Sequence, residues 1–194
     1  LTGPEPHAMD HADVIPLSDR LHALFASRIA ALPEPTRRLL LVAAFEGTGE
    51  IRVLREAAGE QPGLGDLAPA ERAQLVHVDD SAARITFRHP LIRSTLVAMS
   101  THEERRHAHL VLADSLHGDE ERRAWHLAAA AVGPDEAAAG LLDRVAHRTM
   151  LRGDALGAVS ALVRAAELST TAADRGRRLA EAAYIGAESG GAVS

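Results

Sequence analysis

Along most of the chain, apolar residues recur every three or four positions, a spacing that is typical of amphipathic helices. In the first half this pattern predicts helices over residues 18–32, 35–46, 50–58 and 69–75. Pro33 and Gly47 end the first two, because proline breaks a helix interior and glycine favours a helix C-terminus. Residues 1–16 contain three prolines and no helical periodicity, so they predict a linker.

The clearest alternation of apolar and polar residues lies just after these helices. Residues 76–78 and 84–88 form two short runs, in which Ile85 and Phe87 alternate with polar neighbours as one buried strand face requires. Turn-forming residues between the runs complete a predicted β-hairpin. Three helices followed by a hairpin is the element order of a winged helix, so we predict a winged-helix-like domain over residues 17–100.

After this hairpin the whole pattern is helical. Thr101 and Glu104 have the spacing of a capping box, while Gly118 and Gly153 mark short turns between helices of similar length. Short turns favour antiparallel helical hairpins, and successive hairpins are typical of solenoids. Residues 101–194 therefore predict helical hairpins that lead into tetratricopeptide-like repeats. The predicted fold class is mainly α, with one short β-hairpin.

Composition narrows the range of functions. The 194 residues include no cysteine, which excludes disulfides and thiolate chemistry. No apolar run approaches the roughly 18 residues of a membrane-spanning helix, and the N-terminus lacks a signal-peptide pattern. A cytoplasmic location is expected, in a bacterium with a GC-rich genome, since Ala and Arg are abundant and lysine is absent.

The charge balance argues against direct binding to nucleic acids. The formal net charge is −6, whereas phosphate binding needs a basic excess. The helix before the hairpin offers only Arg72 and Gln74 to base edges, so we expect the winged-helix-like domain to pack or switch instead of reading DNA. The arginine clusters at 122–123 and 175–178 are mixed with acids, which predicts solvated helix faces.

Residues 141–168 resemble one tetratricopeptide-type repeat. Gly153 lies at the turn, and the second helix then presents small, large, small and large residues at the spacing of that repeat: Ala158, Leu162, Ala165 and Leu168. The tyrosine that usually stands near the start of the second helix is absent, and Ala146 replaces a usual glycine. A generic helical hairpin is the alternative.

Four stretches carry a wider resemblance: LPEPTRRLLL at 32–41, LAPAER at 67–72, FRHPLIR at 87–93 and RAWHLA at 123–128. In this order and spacing they resemble the central region of large LuxR-type transcriptional regulators related to MalT. Those proteins combine an ATPase module of the STAND class, a winged helix, helical repeats and a C-terminal helix-turn-helix. The resemblance covers most of the chain from about residue 17 to residue 190.

The resemblance implies a nucleotide contact at His89, which stands between the hairpin and a helix opened by Pro90. In related proteins a histidine at this place contacts the β-phosphate of ADP and holds the closed, inactive state. An imidazole can donate a hydrogen bond to a phosphate oxygen, and a nearby phosphate favours the charged ring. The alternative is that His89 only caps the helix that follows it.

The other functional parts of that family are not expected within this sequence. A P-loop requires a lysine, which the chain lacks, and a helix-turn-helix would lie beyond residue 194. The missing initiator Met and an end within a second repeat predict a chain truncated on both sides. ATP or ADP is therefore expected for the parent protein, and no cofactor for this segment.

His102, His107 and His109 form the most tempting metal cluster. Two histidines on one helix share a metal when they are four residues apart, whereas the gaps here are five and two. We therefore expect no metal site and a solvated histidine-rich face. Gly63 and Gly65 lack the strand and third glycine of a dinucleotide loop, and no residue constellation supports catalysis, so no enzyme activity is expected.

These observations predict a regulatory and coupling segment of a LuxR-type regulator, which relays nucleotide or ligand state to a DNA-binding domain outside the chain. Its partners would be the other domains of the parent and a small-molecule or protein inducer on the helical repeats. An exposed apolar face at the C-terminal helices predicts self-association. The alternative is a free-standing helical adaptor that binds proteins or peptides; an all-helical enzyme is a third class without supporting residues.

Overall fold

The computed structural model describes residues 17–59, 64–79 and 81–191. In these ranges the elements are α1 (Leu17–Ala30), α2 (Glu34–Glu46), α3 (Ile51–Ala58), a 3-10 helix (Leu64–Leu67), α4 (Ala68–Arg72), β1 (Val76–Asp79), β2 (Arg84–Phe87), α5 (Pro90–Met99), α6 (His102–Ser115), α7 (Glu120–Ala130), α8 (Glu136–Leu151), α9 (Ala155–Leu168) and α10 (Ala172–Gly191). The prediction of a mainly α chain with one short antiparallel hairpin is confirmed. None of these helices is long and apolar enough to cross a membrane.

Two sequence predictions concern residues that lie outside the described ranges, at least in part. The linker predicted over residues 1–16 lies wholly outside them, as does Gly63, which was weighed with Gly65 as a dinucleotide loop. Gly65 lies in the 3-10 helix Leu64–Leu67, whose last residue is buried against α2. The apolar side chain of Leu67 accounts for this short element, since it joins the core of the first half.

Helix α2 is the central element of the first half of the structure, which we define as α1 to α6 (residues 17–115) because they share one apolar core. All six residues from Leu39 to Ala44 are buried, so the helix is covered on every side instead of along one stripe. Helices α3, α5 and α6 pack against it, and α1 packs against α5. The apolar core of this half therefore surrounds α2, and the elements that contact α2 all pack into this one core.

The hairpin has an additional backbone neighbour. Its register places Val76 opposite Phe87 and Asp79 opposite Arg84. On the other side of β2, the carbonyl oxygen of Gly49 accepts a hydrogen bond from the Ile85 amide at 2.9 Å, next to a bridge between Glu50 and Arg84. Residues 49–50, in the loop between α2 and α3, thus lie beside β2 as a third backbone segment next to the hairpin.

The second half, α7 to α10 (residues 120–191), is a row of antiparallel helices that continues from α6. Helix α7 packs against α6 and α8, α8 against α9, and α9 against α10. The core between them is rich in alanine, which lets the helices approach closely, and it includes the repeat-like positions Ala158, Leu162, Ala165 and Leu168. The capping box predicted at Thr101 and Glu104 is observed, and Asp119 caps α7.

The prediction of a solvated face is wrong for Arg178 of α10. Its side chain is 2% exposed and donates hydrogen bonds to Glu136 and Asp143 of α8 and to Ser169. Helical spacing explains the burial, because Arg178, Ala182 and Ile185 recur at the intervals of one helix face. The neighbouring Arg175 is exposed as expected.

Gly49 should tolerate no side chain. Its φ is +78°, and a Cβ atom there would lie 2.2 Å from the carbonyl oxygen of Ile85. We expect Gly49→Ala to lower the free energy of unfolding by about 2–3 kcal/mol, measured by urea denaturation. Gly176→Ala is the matched control: that glycine lies inside α10 with open space around it, so alanine should stabilise by about 0.5–1 kcal/mol. Equal effects of the two substitutions would contradict the close backbone approach at Gly49.

Removing the buried guanidinium should weaken the packing of α10. Arg178→Ala is expected to lower the free energy of unfolding by about 1.5–3 kcal/mol in urea denaturation, because the hydrogen bonds to Ser169 and to the partly exposed carboxylates of α8 are lost. Arg175→Ala, on the exposed side of the same helix, should change stability by less than about 0.5 kcal/mol. A loss at Arg178 no larger than at Arg175 would mean that the ion pairs contribute nothing to holding this helix.

Candidate functional site

His89 is positioned by two features of the first half. It follows β2 in an extended conformation and is the N-cap of α5, where its Nδ1 accepts a hydrogen bond from the Leu91 amide at 3.1 Å. Phe25 of α1 packs against the imidazole with ring centroids 5.6 Å apart. The side chain is half-buried, so the capping role that the sequence left open is present.

The cap determines which ring nitrogen of His89 is available. An acceptor Nδ1 carries no proton, so the neutral ring has its proton on Nε2. Among the described residues, no hydrogen bond engages Nε2. The capping role and a contact to an anion therefore do not compete, since they use different nitrogens of one ring.

The three histidines weighed as a metal cluster separate as their spacing predicts. His102 and His107 are exposed, whereas His109 turns toward α7 and is largely enclosed. Among the described residues, no group of three or more His or carboxylate side chains could hold a metal ion. The expected solvated histidine face is wrong for His109, because its position on α6 faces α2 and α7 instead of solvent.

The second place of interest is a polar contact between the two halves, which we call the joint and define as Phe45, Glu46, His109, Arg122 and His126. Glu46 ends α2 and its side chain is fully buried. Arg122 in the first turn of α7 donates to Glu46 twice, to the carboxylate at 2.8 Å and to the backbone carbonyl at 2.7 Å. One side chain of the second half thus binds the end of the central helix of the first.

Local hydrogen bonds complete the environment of Glu46. Its carboxylate also accepts from the Thr48 hydroxyl and from the Gly49 amide, each at 2.5 Å. Burial by itself would raise the pKa of Glu46, but the hydrogen bonds from Thr48, Arg122 and Gly49 outweigh it and leave the pKa below its ordinary value. Glu46 is therefore a buried anion whose charge is held by both halves of the chain.

A pair of imidazoles lies beside this ion pair. Nδ1 of His109 on α6 is 2.9 Å from Nδ1 of His126 on α7, so one ring donates and the other accepts. Phe45 covers His109 with ring centroids 4.2 Å apart. Burial, together with the charges of His109 and Arg122, lowers the pKa of His126 to about 4, and burial also lowers the pKa of His109. Both rings are accordingly neutral at pH 7.

Sequence reasoning missed the joint. It assigned Arg122 to a solvated face, yet Arg122 lies one helical turn before the buried His126 and Arg123 points to solvent instead. Helical phase was the available signal, because Arg122 and His126 are four residues apart on α7. No local pattern pairs either residue with α2, since 76 positions separate Arg122 from Glu46.

The buried ion pair should stabilise the chain far more than an exposed one. We expect Glu46→Ala to lower the free energy of unfolding by about 3 kcal/mol at pH 7, because Arg122 loses its partner and three hydrogen bonds to the carboxylate disappear. Glu34→Ala removes an exposed pair with Arg38 and should cost less than about 0.5 kcal/mol.

The stabilisation by Glu46 should depend on pH. Because the pKa of Glu46 is lowered on folding from its ordinary 4.5, the carboxylate stabilises the fold above that pH and loses this contribution as the pH falls through the folded-state value. The difference between the native chain and Glu46→Ala should therefore shrink in urea titrations below about pH 4. A difference independent of pH would argue against an ionised Glu46.

Comparisons of the chain with protein-family models, with curated proteins and with solved structures gave no match. A function must accordingly be inferred from the chemistry of His89 and of the joint, together with the resemblance in the four sequence stretches.

Proposed function

We propose that the chain is a coupling segment of a LuxR-type transcriptional regulator, acting without catalysis of its own in the bacterial cytoplasm. The observation that carries this proposal is the joint, in which Arg122 at the start of the helical row binds Glu46 at the end of the central helix of the first half. A regulator that relays a state between two parts needs such a contact, because the state of one part must change the energy of the other.

The first half has features that support a winged-helix-like domain. The element order α2, segment 49–50, α3, α4, β1 and β2 matches the helix and strand order of a winged helix, and the bridge from Glu50 to Arg84 supplies its third strand position. The helix in the DNA-reading place, α4, has only five residues. A switch role for this domain is therefore favoured over direct DNA binding.

His89 is connected to the joint through packed helices. Helix α5, which His89 caps, packs against α2, and α2 carries Phe45 and Glu46 at its far end. The guanidinium of Arg93, one turn into α5, lies beside Gly47, immediately after Glu46. A nucleotide phosphate bound at Nε2 of His89 would thus act on a helix that borders the joint, and in this proposal ADP belongs to the parent protein.

The helical row would receive the second input. Its repeat-like residues form one alanine-rich core, which supports a tetratricopeptide-like stack, and solenoids bind partners on their surfaces. Leu179 and Tyr184 on α10 are exposed, an observation that also favours the second candidate, a free-standing adaptor that binds a protein or peptide. Self-association through these residues stays a prediction, to be measured by light scattering.

The two candidates differ in what flanks the chain. Sequencing the complete open reading frame should reveal a P-loop upstream of residue 1 and a helix-turn-helix downstream of residue 194 if the regulator proposal is right. A frame that contains neither would favour the adaptor and remove the reason to assign a nucleotide to His89.

The role of His89 can be separated from its cap. Asparagine is a good N-cap residue, so His89→Asn keeps the bond to the Leu91 amide and removes Nε2, whereas His89→Ala removes both. In the protein encoded by the full frame, we expect both variants to retain about 10- to 100-fold less ADP, since a hydrogen bond to a charged group contributes about 1.5–3 kcal/mol. The exposed His77→Asn in β1 is the control.

Nucleotide content after purification and reporter transcription are the two measurements. Loss of ADP in His89→Asn together with raised reporter output supports the locked-state role. If His89→Asn retains ADP like the native protein and only His89→Ala is impaired, His89 is a structural cap and the nucleotide part of the proposal is wrong.

A further inference from the structure

The imidazole pair of the joint is unusual because neither ring contributes to an apolar core or to a carboxylate pair. His109 and His126 face each other across the contact between α6 and α7, with their Nδ1 atoms 2.9 Å apart. The apolar cores of the two halves lie on either side of this contact. A titratable pair is thus placed where the halves meet, and its protons bear directly on that contact.

The bond between the rings limits how many protons the pair can hold. In the neutral pair one Nδ1–H donates to the other Nδ1. A first proton can bind the Nε2 of the donating ring and leave this bond intact. A second proton must go to the accepting Nδ1, which turns the contact into N–H against N–H between two cations. Double protonation is therefore incompatible with the 2.9 Å contact.

The charged groups around the pair also oppose its protonation. Arg122 on α7 lowers the pKa of His126, and Glu46 on α2 and Asp119 at the start of α7 only partly offset this effect. Arg106 lies one turn before His109 on α6, with its buried Nε lacking a hydrogen-bond partner among the described residues. Glu46 is already bound by Arg122, and Asp119 accepts the capping hydrogen bond of α7, so these two anions do not compensate two imidazolium charges.

Helices farther out do not change this balance. On α8, Arg148 and Arg152 are occupied by Glu120 and Glu121 of α7, on the exposed edge of that helix. Phe45 covers His109 and offers only its π-face to a cation. A π-face is a weaker partner for a cation than a carboxylate. We therefore expect the repulsion between the two imidazolium rings to be relieved by separation of α7 from α6 and α2.

We propose that the joint is a proton-operated latch: protonation of both His109 and His126 releases α7 and the helical row from the first half, while neutral rings hold them together. The latch needs only the residues of the joint and no nucleotide. Failure of the ADP experiment at His89 would therefore leave it standing, and failure of the latch would leave the nucleotide contact untouched.

The direction and size of the effect follow from linkage. The pKa of His126 is about 4 in the closed joint and 6.5 when the ring is free, so the closed form is favoured above pH 6.5 and loses stability as the pH falls toward 4. Between pH 7.5 and pH 5, His126 alone shifts the equilibrium toward opening by about 30-fold. Participation of His109 increases this factor and makes the transition steeper than a one-proton titration.

The absence of cysteine makes a direct test possible. Cysteines placed at the exposed Ser27 of α1 and Ser160 of α9 can carry spin labels, one in each half, without background labelling. Double electron–electron resonance then measures the distance between the halves from pH 7.5 to pH 5, with far-ultraviolet circular dichroism in parallel. We expect a second, longer distance population at low pH, with unchanged helicity.

Variants identify the responsible rings. His126→Asn keeps a hydrogen-bonding side chain that does not titrate, and it should abolish the longer population; His109→Asn is the second such variant if the first loses helicity at pH 7.5. His107→Asn, exposed on the same helix as His109, should respond like the native chain. An unchanged distance at pH 5, an unaltered response in both joint variants, or loss of helicity in step with the distance change would each overturn the latch.

Discussion

The rest of the structure depends on one constraint, which is that the buried carboxylate of Glu46 has lost its hydration and must be hydrogen-bonded by the protein. Glu46 is fully enclosed at the end of the central helix, and burial of an isolated charge costs several kcal/mol unless hydrogen bonds replace its hydration. Thr48 and Gly49 supply part of that replacement from the same half, while Arg122 supplies the rest from the other. The docking of α7 is consequently part of what compensates the buried charge of Glu46, although the two apolar cores are separate.

The contrast between core and joint has a functional side. Each core is built mainly from aliphatic side chains and alanine, with Phe25 in the first, and such contacts weaken gradually when helices shift. Hydrogen bonds between charged or titratable groups are directional, so the joint is either aligned or broken. A contact that is either formed or broken suits a segment that transmits a state, because a small shift of α2 or α7 then switches the joint between these two states.

Local signals allowed the elements of this fold to be predicted from the sequence, and long-range contacts account for what was missed. Pro33, Gly47, the Thr101–Glu104 capping box and Asp119 act within a few residues, so their effects are legible in the sequence. The partners of Arg122, His126 and Arg178 come from distant helices, and a polar residue on a helix gives no sign of such a partner. His89 was found through resemblance, and its cap through its place before Pro90.

The buried Arg178 has a consequence for how the last helices fit together. Alanine-rich surfaces such as that between α9 and α10 are nearly smooth, and several alignments of one helix along the other would pack almost equally well. A guanidinium bound by Glu136, Asp143 and Ser169 admits a single alignment, because a shift of one residue moves it by about 1.5 Å along the axis and turns it about 100° around it. Arg178 thus fixes the alignment of α10 along its neighbours, whatever the strength of its ion pairs.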